Sequence, residues 1–92
     1  MILWASPSAD AATRIGVVAS KRSIGNAVQR NRAKRRLRAV SRLQAAELPE
    51  GSEVVLVARP AILSVSWDDL VADFTHCTQR LDRAVFPSPS HP

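Results

Sequence analysis

A block of positive charge is the chemically most distinctive feature of this 92-residue sequence. Between Lys21 and Leu43 nine side chains are basic and none is acidic, and the acid-free stretch extends from Ala11 to Ala46. The block holds nine of the 13 basic residues and none of the 8 acidic ones, so the rest of the chain carries −4 against a net charge of +5 overall. One concentrated cationic element on a mildly acidic chain indicates a protein that binds nucleic-acid backbone. The nine cations are Lys21, Arg22, Arg30, Arg32, Lys34, Arg35, Arg36, Arg38 and Arg42.

The block is predicted to form a helix that follows a basic turn. Asn26 is a good N-cap, and Gln29 stands where it can complete a capping box. The helix is expected to end near Ala46, before the breaker Pro49-Glu50-Gly51. The N–H groups of this capped start and the positive end of the helix dipole would form a second anion site.

The faces of the predicted helix follow from a rotation of 100° per residue. Ala33, Leu37 and Val40 then form a narrow strip that can pack on a sheet, and cations cover every other face. Like charges four residues apart, such as Arg32 and Arg36, destabilise a helix by a few tenths of a kcal/mol per pair. Because no acid at matching spacing relieves them, a polyanion is the partner that this pattern favours. Seven of the nine cations are arginines, which suit two-point phosphate contacts and stacking on bases.

The remaining elements predict a small mixed fold. Residues 1–5 are a strand or a frayed terminus, residues 6–12 a loop and residues 13–20 a strand. The apolar run at 53–58 is typical of a central strand buried on both faces. Ser66 caps a last helix, whose apolar stripe is Leu70, Phe74, Cys77 and Leu81. The order indicates an α+β two-layer sandwich, with a βαβ crossover in a small sheet and helices on one face; the general rule gives this crossover a right hand.

Length and composition limit the class of protein. The chain is expected to form a single domain over residues 1–86, followed by a disordered Pro/Ser tail at 87–92. No apolar run is long enough to span a membrane, and the start at Met1 lacks the features of a signal peptide, so a cytoplasmic location is expected. The single cysteine, Cys77, excludes an internal disulfide and is expected to be a small buried hydrophobic residue.

The order of residues inside the basic block resembles a known signature. The triplet Arg30-Asn31-Arg32, followed by Lys34-Arg35 and Arg38 after a strand and a basic turn, is similar to the signature of the bacterial ribonuclease P protein subunit. The strand before the block, a following strand that ends in Ala58-Arg59-Pro60, and a closing amphipathic helix agree with the same family. The resemblance covers roughly residues 13 to 83.

The resemblance implies the protein component of an RNA-based endoribonuclease that processes tRNA. In that family the catalytic partner is an RNA, which removes the 5′ leader of precursor tRNA with bound Mg²⁺. The protein helps to bind substrate and metal and supplies no catalytic group and no metal site of its own. The family's crossover is left-handed, which replaces the general expectation. The candidate RNA-binding residues are Lys21, Arg22, Asn26, Arg30, Asn31, Arg32, Lys34, Arg35, Arg38 and Arg42.

The resemblance also implies an N-terminally short form. Family members usually begin with a further helix that carries aromatic residues near a cleft, between the basic helix and the sheet, that takes the single-stranded leader. This sequence begins at about the first strand and lacks the first family helix, so either the protein is a minimal form or the start codon is assigned too late. Trp4 is the only early aromatic residue that could stack on a base; core packing or terminal disorder is the favoured interpretation for it.

The same residues are compatible with other functions. A ribosome-associated or other structured-RNA-binding protein without a nuclease role is the main alternative, since composition does not distinguish it. A helix-turn-helix DNA-binding module is disfavoured because strands flank the basic helix. Asp68, Asp69 and Asp73 are interpreted as ordinary complements of a helix N-terminus and not as metal ligands.

Overall fold

The protein is a three-stranded sheet with helices packed on one side. The computed structural model describes residues 1–10 and 12–81. The predicted α+β fold with a small open sheet and helices is confirmed. The elements are β1 (Ile2–Pro7), β2 (Arg14–Val18), α1 (Lys21–Ile24), α2 (Ala27–Leu43), β3 (Ser52–Val57) and α3 (Trp67–Gln79), with 3-10 turns at Ala45–Glu47 and Pro60–Leu63.

Strand β3 lies at the centre of the sheet, in the order β1-β3-β2. It pairs antiparallel with β1, where Trp4 lies opposite Val55, and parallel with β2, where Gly16 lies opposite the same valine. The chain between β2 and β3 contains α1 and α2, so the basic helix belongs to a crossover between two neighbouring parallel strands, as the sequence predicts. The left hand of this crossover stays a prediction.

The prediction that the central strand is buried on both faces is wrong. Val54 and Leu56 are buried, whereas Glu53 is exposed and Val55 keeps 38% of its surface accessible. Successive residues of a strand point to opposite faces, so within the described residues only the face toward the helices is covered. The apolar run is misleading because Val55 and Val57 are hydrophobic although they lie on the open face.

One hydrophobic core fills the space between the helices and the sheet. The predicted strip of α2, formed by Ala33, Leu37 and Val40, has no accessible surface at all. It belongs to the same buried cluster as Leu56 of β3 and Phe74 of α3. The helical periodicity therefore identifies the packed face of α2 correctly.

The apolar stripe of α3 differs from the prediction at its C-terminal end. Leu70 and Phe74 are buried as expected, but the next fully buried residue is Thr78, and Cys77 is only half-buried. The hydroxyl of Thr78 donates to the carbonyl oxygen of Thr75 at 2.8 Å, which satisfies it inside the helix. A threonine with an internal hydrogen bond can thus occupy the core position that the pattern assigns to the cysteine.

Two segments predicted as turn or loop are ordered. The basic turn is the one-turn helix α1, which Ser20 caps by accepting from the Ser23 N–H and which buries Ile24. Strand β1 continues through Ser6 and Pro7, because these residues pair with the first residues of β3.

Helix α2 ends at Leu43, three residues before the predicted end. The chain then tightens into the 3-10 turn Ala45–Glu47, and Leu48 after it is buried in the core. The predicted domain boundary at residue 86 and the predicted tail at 87–92 lie outside the described residues. No helix in the described part of the chain combines the length and apolarity needed to cross a membrane.

The one-sided burial of β3 predicts different costs for two neighbouring substitutions. Leu56→Ala removes a fully buried side chain and should lower the free energy of unfolding by about 2–5 kcal/mol. Val55→Ala on the open face is the matched control and should cost less than about 1 kcal/mol. Urea denaturation of both variants measures the difference, and equal losses would show that both faces of the strand are covered.

Candidate nucleic-acid interface

The outer face of α2 is a polar and cationic surface that points away from the core. Asn31, Arg35, Arg38 and Arg42 are all exposed and lie within roughly 60° of one another, opposite the buried strip. With Val28, which is 76% exposed, Asn31, Arg35 and Arg38 line a shallow groove of about 380 Å³. An exposed valine between guanidinium and amide groups offers an apolar patch on which the flat face of a base or a ribose can rest.

Further cations extend this surface along both flanks of the helix. Arg30 and Lys34 are half-buried on one flank, and Arg32 is exposed on the other. Helix α2 has 17 residues and is therefore about 25 Å long, so its charges are distributed over several phosphate spacings. We call this set of side chains the α2 cationic surface: Arg30, Asn31, Arg32, Lys34, Arg35, Arg38 and Arg42.

The α2 cationic surface has no carboxylate partner within the described part of the chain. The ion pairs among those residues join the N-terminal amine of Met1 to Asp73, and Arg14 to Asp10 and Glu53. Arg14, in β2, differs from the α2 cations because its guanidinium contacts the carboxylates of both Asp10 and Glu53. Hydrogen bonds to Asp10 from the Arg14 side chain and from the Ala12 N–H lower the pKa of Asp10 to about 2. The cations of the α2 cationic surface are thus left available for an external polyanion.

The start of α2 is held by the predicted capping box. The Gln29 N–H donates to Oδ1 of Asn26 at 2.9 Å, and the Asn26 N–H donates to Oε1 of Gln29 at 3.2 Å. Gly25 has a φ of 115°, and a Cβ at this position would clash with Oε1 of Gln29. Oδ1 of Asn26 already accepts one hydrogen bond in the helix, and the Nδ2 group of this candidate residue is a donor that can contact an RNA phosphate.

Lys21 and Arg22 lie at the sheet edge where the parallel strands end. The N–H of Ala58, just after β3, donates to the carbonyl oxygen of Val18 at 2.8 Å, which brings the two chain segments together. Arg59 follows Ala58, is exposed, and lies at this same edge. Arg59 is not among the residues predicted from the sequence. The signal that could have identified it is its position as a cation just after β3, the strand that pairs parallel with β2.

One cation of α2, Arg36, does not belong to the α2 cationic surface. Arg36 is half-buried, and its Nη2 donates to the carbonyl oxygen of Val65, in the segment before α3. It was not among the candidate RNA-binding residues. Those ten assignments stay predictions, but the structure places all of them on α1, α2 or the cap between the two helices.

The open face of the sheet is a second candidate surface. Trp4, Val55 and Gly16 form one row across the three strands on the side without helices, and Trp4 is 67% exposed. The interpretation of Trp4 as a core or disordered residue is therefore wrong: it is an ordered, exposed strand residue. The core fills the space between α2 and the sheet, so among the described residues the accessible side of the sheet is this open face.

Comparison with protein families identifies the group to which this architecture belongs. The family model described as Ribonuclease P matches residues 1–82. The chain belongs to the ribonuclease P protein family. The match extends over both the α2 cationic surface and the strand that carries Trp4.

Curated relatives agree with this membership. The ribonuclease P protein component of Kocuria rhizophila is 45% identical over 67 residues, which are 73% of this chain and 58% of that protein. The corresponding protein of an Arthrobacter species is 46% identical over 67 residues, or 73% of this chain and 48% of the relative. The chain thus spans about half of the length of these curated relatives.

Solved structures show the same fold at lower sequence identity. The ribonuclease P protein of Thermotoga maritima superposes with a TM-score of 0.74 at 20% identity, over 87% of this chain and 76% of that one. The Staphylococcus aureus protein gives a TM-score of 0.67 at 20% identity, over 84% and 70% of the two chains. The mixed sheet with its crossover helix is therefore a fold shared across distant members.

The capping box predicts which substitutions at Asn26 affect the helix. Asn26→Ala removes the acceptor for the Gln29 N–H and should lower the free energy of unfolding by about 0.5–2 kcal/mol, whereas Asn26→Ser keeps an acceptor and should cost only a few tenths. Thermal and urea unfolding of the two variants checks this. An alanine variant as stable as wild type would mean that the cap does not contribute to holding the start of α2.

Proposed function

We propose that this chain acts as the protein component of ribonuclease P. In this proposal it binds the catalytic RNA and precursor tRNA and assists the Mg²⁺-dependent endonucleolytic removal of the tRNA 5′ leader in the cytoplasm. The observation that carries the proposal is the α2 cationic surface, which is acid-free and unpaired within the described residues, on a chain of this family.

The role of α2 in the proposal is to dock on folded RNA. The helix is rigid, capped at its start and anchored by a fully buried strip, so its guanidinium groups are held at set spacings before RNA arrives. Phosphates placed against these groups relieve the repulsion between like charges one turn apart and release counterions. Binding at this surface is therefore expected to depend steeply on salt.

The proposal gives the protein no catalytic group. The reaction needs Mg²⁺, which is assigned mainly to the RNA component. Among the described residues, no group of three or more His, Cys, Asp or Glu side chains could hold a metal ion. The chain's own contribution is to bind, orient and neutralise the phosphates of the two RNAs.

The open face of the sheet is assigned to the single-stranded leader. Trp4 offers an exposed aromatic plane, and Gly16 in the same row has no side chain to obstruct an approaching base. Stacking on an aromatic side chain is tolerant of sequence, which suits a leader that differs from one precursor to another. The cations at the nearby sheet edge, Lys21, Arg22 and Arg59, would contact its backbone.

The alternative is a structured-RNA-binding protein without a nuclease role. The same α2 cationic surface would serve it, because phosphate contacts carry no information on what the RNA does. Family membership favours the ribonuclease P assignment, and only an assay of leader removal separates the two.

Reconstitution with the cognate catalytic RNA tests the proposed function. At a magnesium concentration where the RNA alone cleaves slowly, added protein should accelerate leader removal. If about six phosphates are engaged, the logarithm of the association constant should fall against the logarithm of salt concentration with a slope of roughly −4 to −5. The double variant Arg32→Glu/Lys34→Glu should weaken binding and flatten that slope by roughly 1.5 to 2.

The control for this experiment is Arg14→Gln, which removes a cation that already contacts two carboxylates. It should leave RNA affinity and the salt slope close to wild type. Tight RNA binding without any acceleration of cleavage would favour the alternative function, and an equal loss in the control would exclude α2 as the docking surface.

Substitution of Trp4 is expected to weaken binding of the leader and to leave the α2 cationic surface unchanged. Trp4→Ala should weaken binding of precursor tRNA by roughly 10- to 100-fold, the range for loss of one base stacked on an aromatic residue, and leave affinity for mature tRNA unchanged. In a Trp67→Phe variant, where Trp4 is the only tryptophan, a leader oligonucleotide should quench the fluorescence. The Trp4→Phe variant, which keeps only Trp67, is the control; quenching of equal size there would exclude the open face.

A further inference from the structure

Arg36 differs from the other eight cations of the basic block. Its Nη2 donates to the main-chain carbonyl oxygen of Val65 at 2.5 Å, whereas none of the other eight side chains has a hydrogen-bond partner within the described residues. Its Nε is enclosed and makes no hydrogen bond there. A guanidinium in this position is partly removed from water and turned toward the protein.

The acceptor lies at a structurally important point. Val65 connects the 3-10 turn Pro60–Leu63 to Ser66, the N-cap of α3, and its own N–H donates to the carbonyl oxygen of Ala61 at 2.9 Å. Helix α2 contacts both this turn and α3. The bond from Arg36 therefore ties one flank of the basic helix to the place where the last helix begins.

The hydrogen bond from Arg36, on one flank of α2, limits rotation of the helix about its axis. The buried strip of α2 fixes which face of the helix points to the core. Because this strip is narrow, a bond on one flank adds resistance to small rotations about the helix axis. With side chains the helix has a radius of about 5–6 Å, and a rotation of 20° would move its outer surface by about 2 Å. A shift of this size is enough to break a phosphate contact on the opposite face.

We infer that Arg36 is a positioning residue that anchors the α2 cationic surface to the start of α3, and that it does not contact RNA itself. This inference rests on the proposed function, because the surface that it positions is the one assigned to RNA. The bond is charge-assisted, which makes it stronger than a bond between neutral groups. Arg36 thus serves as an internal anchor, although it belongs to the block of mutually repelling cations.

Arg32 supplies the matched comparison. It lies one turn earlier on the same flank, carries the same side chain, and is exposed without a partner among the described residues. Arg36→Met and Arg32→Met remove the same charge from neighbouring positions. They should therefore differ only in whether a phosphate contact or an anchor is lost.

The experiment measures affinity for the catalytic RNA over a range of KCl concentrations. Arg32→Met should reduce the salt slope by roughly 0.7–0.9, the value for one lost phosphate contact. Arg36→Met should lower affinity by roughly 2- to 30-fold at every salt concentration and leave the slope at its wild-type value. Arg36→Lys, which keeps the charge and one donor, should recover part of the affinity.

A spectroscopic readout separates the anchor from a phosphate contact without any substitution. In ¹⁵N-labelled protein the Nε–H of Arg36 should exchange slowly with water and keep its chemical shift when RNA is added, whereas the Nε–H of Arg32 should shift. This measurement also serves if the methionine variant does not fold.

Three results would overturn the inference. A slope loss in Arg36→Met equal to that in Arg32→Met, or an RNA-induced shift of the Arg36 Nε–H, would make Arg36 a phosphate contact. Unchanged affinity in Arg36→Met would remove the positioning role. These outcomes leave the proposed function standing, whereas wild-type protein that fails to bind the catalytic RNA would overturn both.

Discussion

The burial of one narrow strip of α2 is the interaction on which the rest of the structure depends. A helix that carries only positive charges is a poor helix on its own, because cations one turn apart repel each other. Ala33, Leu37 and Val40 offset that repulsion by losing all contact with water against the sheet and α3. Once this strip is packed, the charges of the helix lie on its outer face and flanks, where they form the α2 cationic surface.

The same packing gives the sheet two different faces. Helices cover the side of Val54 and Leu56, and the side of Trp4 and Val55 stays open. The molecule thus has a cationic helix surface and an aromatic sheet surface on separate elements, and the proposed function assigns a folded RNA to the first and a single strand to the second. Physical separation of the two surfaces means that a substitution on one can be assayed without destroying the other.

Charged and polar side chains of the acid-free stretch from Ala11 to Ala46 differ in the partners that they contact. Arg14 contacts two carboxylates, Arg36 is turned toward a main-chain carbonyl, and Asn26 uses its side-chain oxygen to cap α2. The arginines on the outer face have no such partner among the described residues. A count of positive charges therefore overestimates what is available to RNA, and the difference is set by contacts with distant parts of the chain.

The sequence alone determined the element order, the capping box, the packed strip of α2 and the family, because each depends on residues close together in the chain or on a signature of adjacent residues. It could not determine that β3 is covered on one side only, that Thr78 replaces Cys77 in the core, or that Trp4 is ordered and exposed. Those properties depend on which segments pack against one another, and local pattern does not contain that information. Arg59 and Arg36 illustrate the same limit: parallel pairing of β2 with β3 brings the first to the basic edge, and the approach of the segment before α3 turns the second inward.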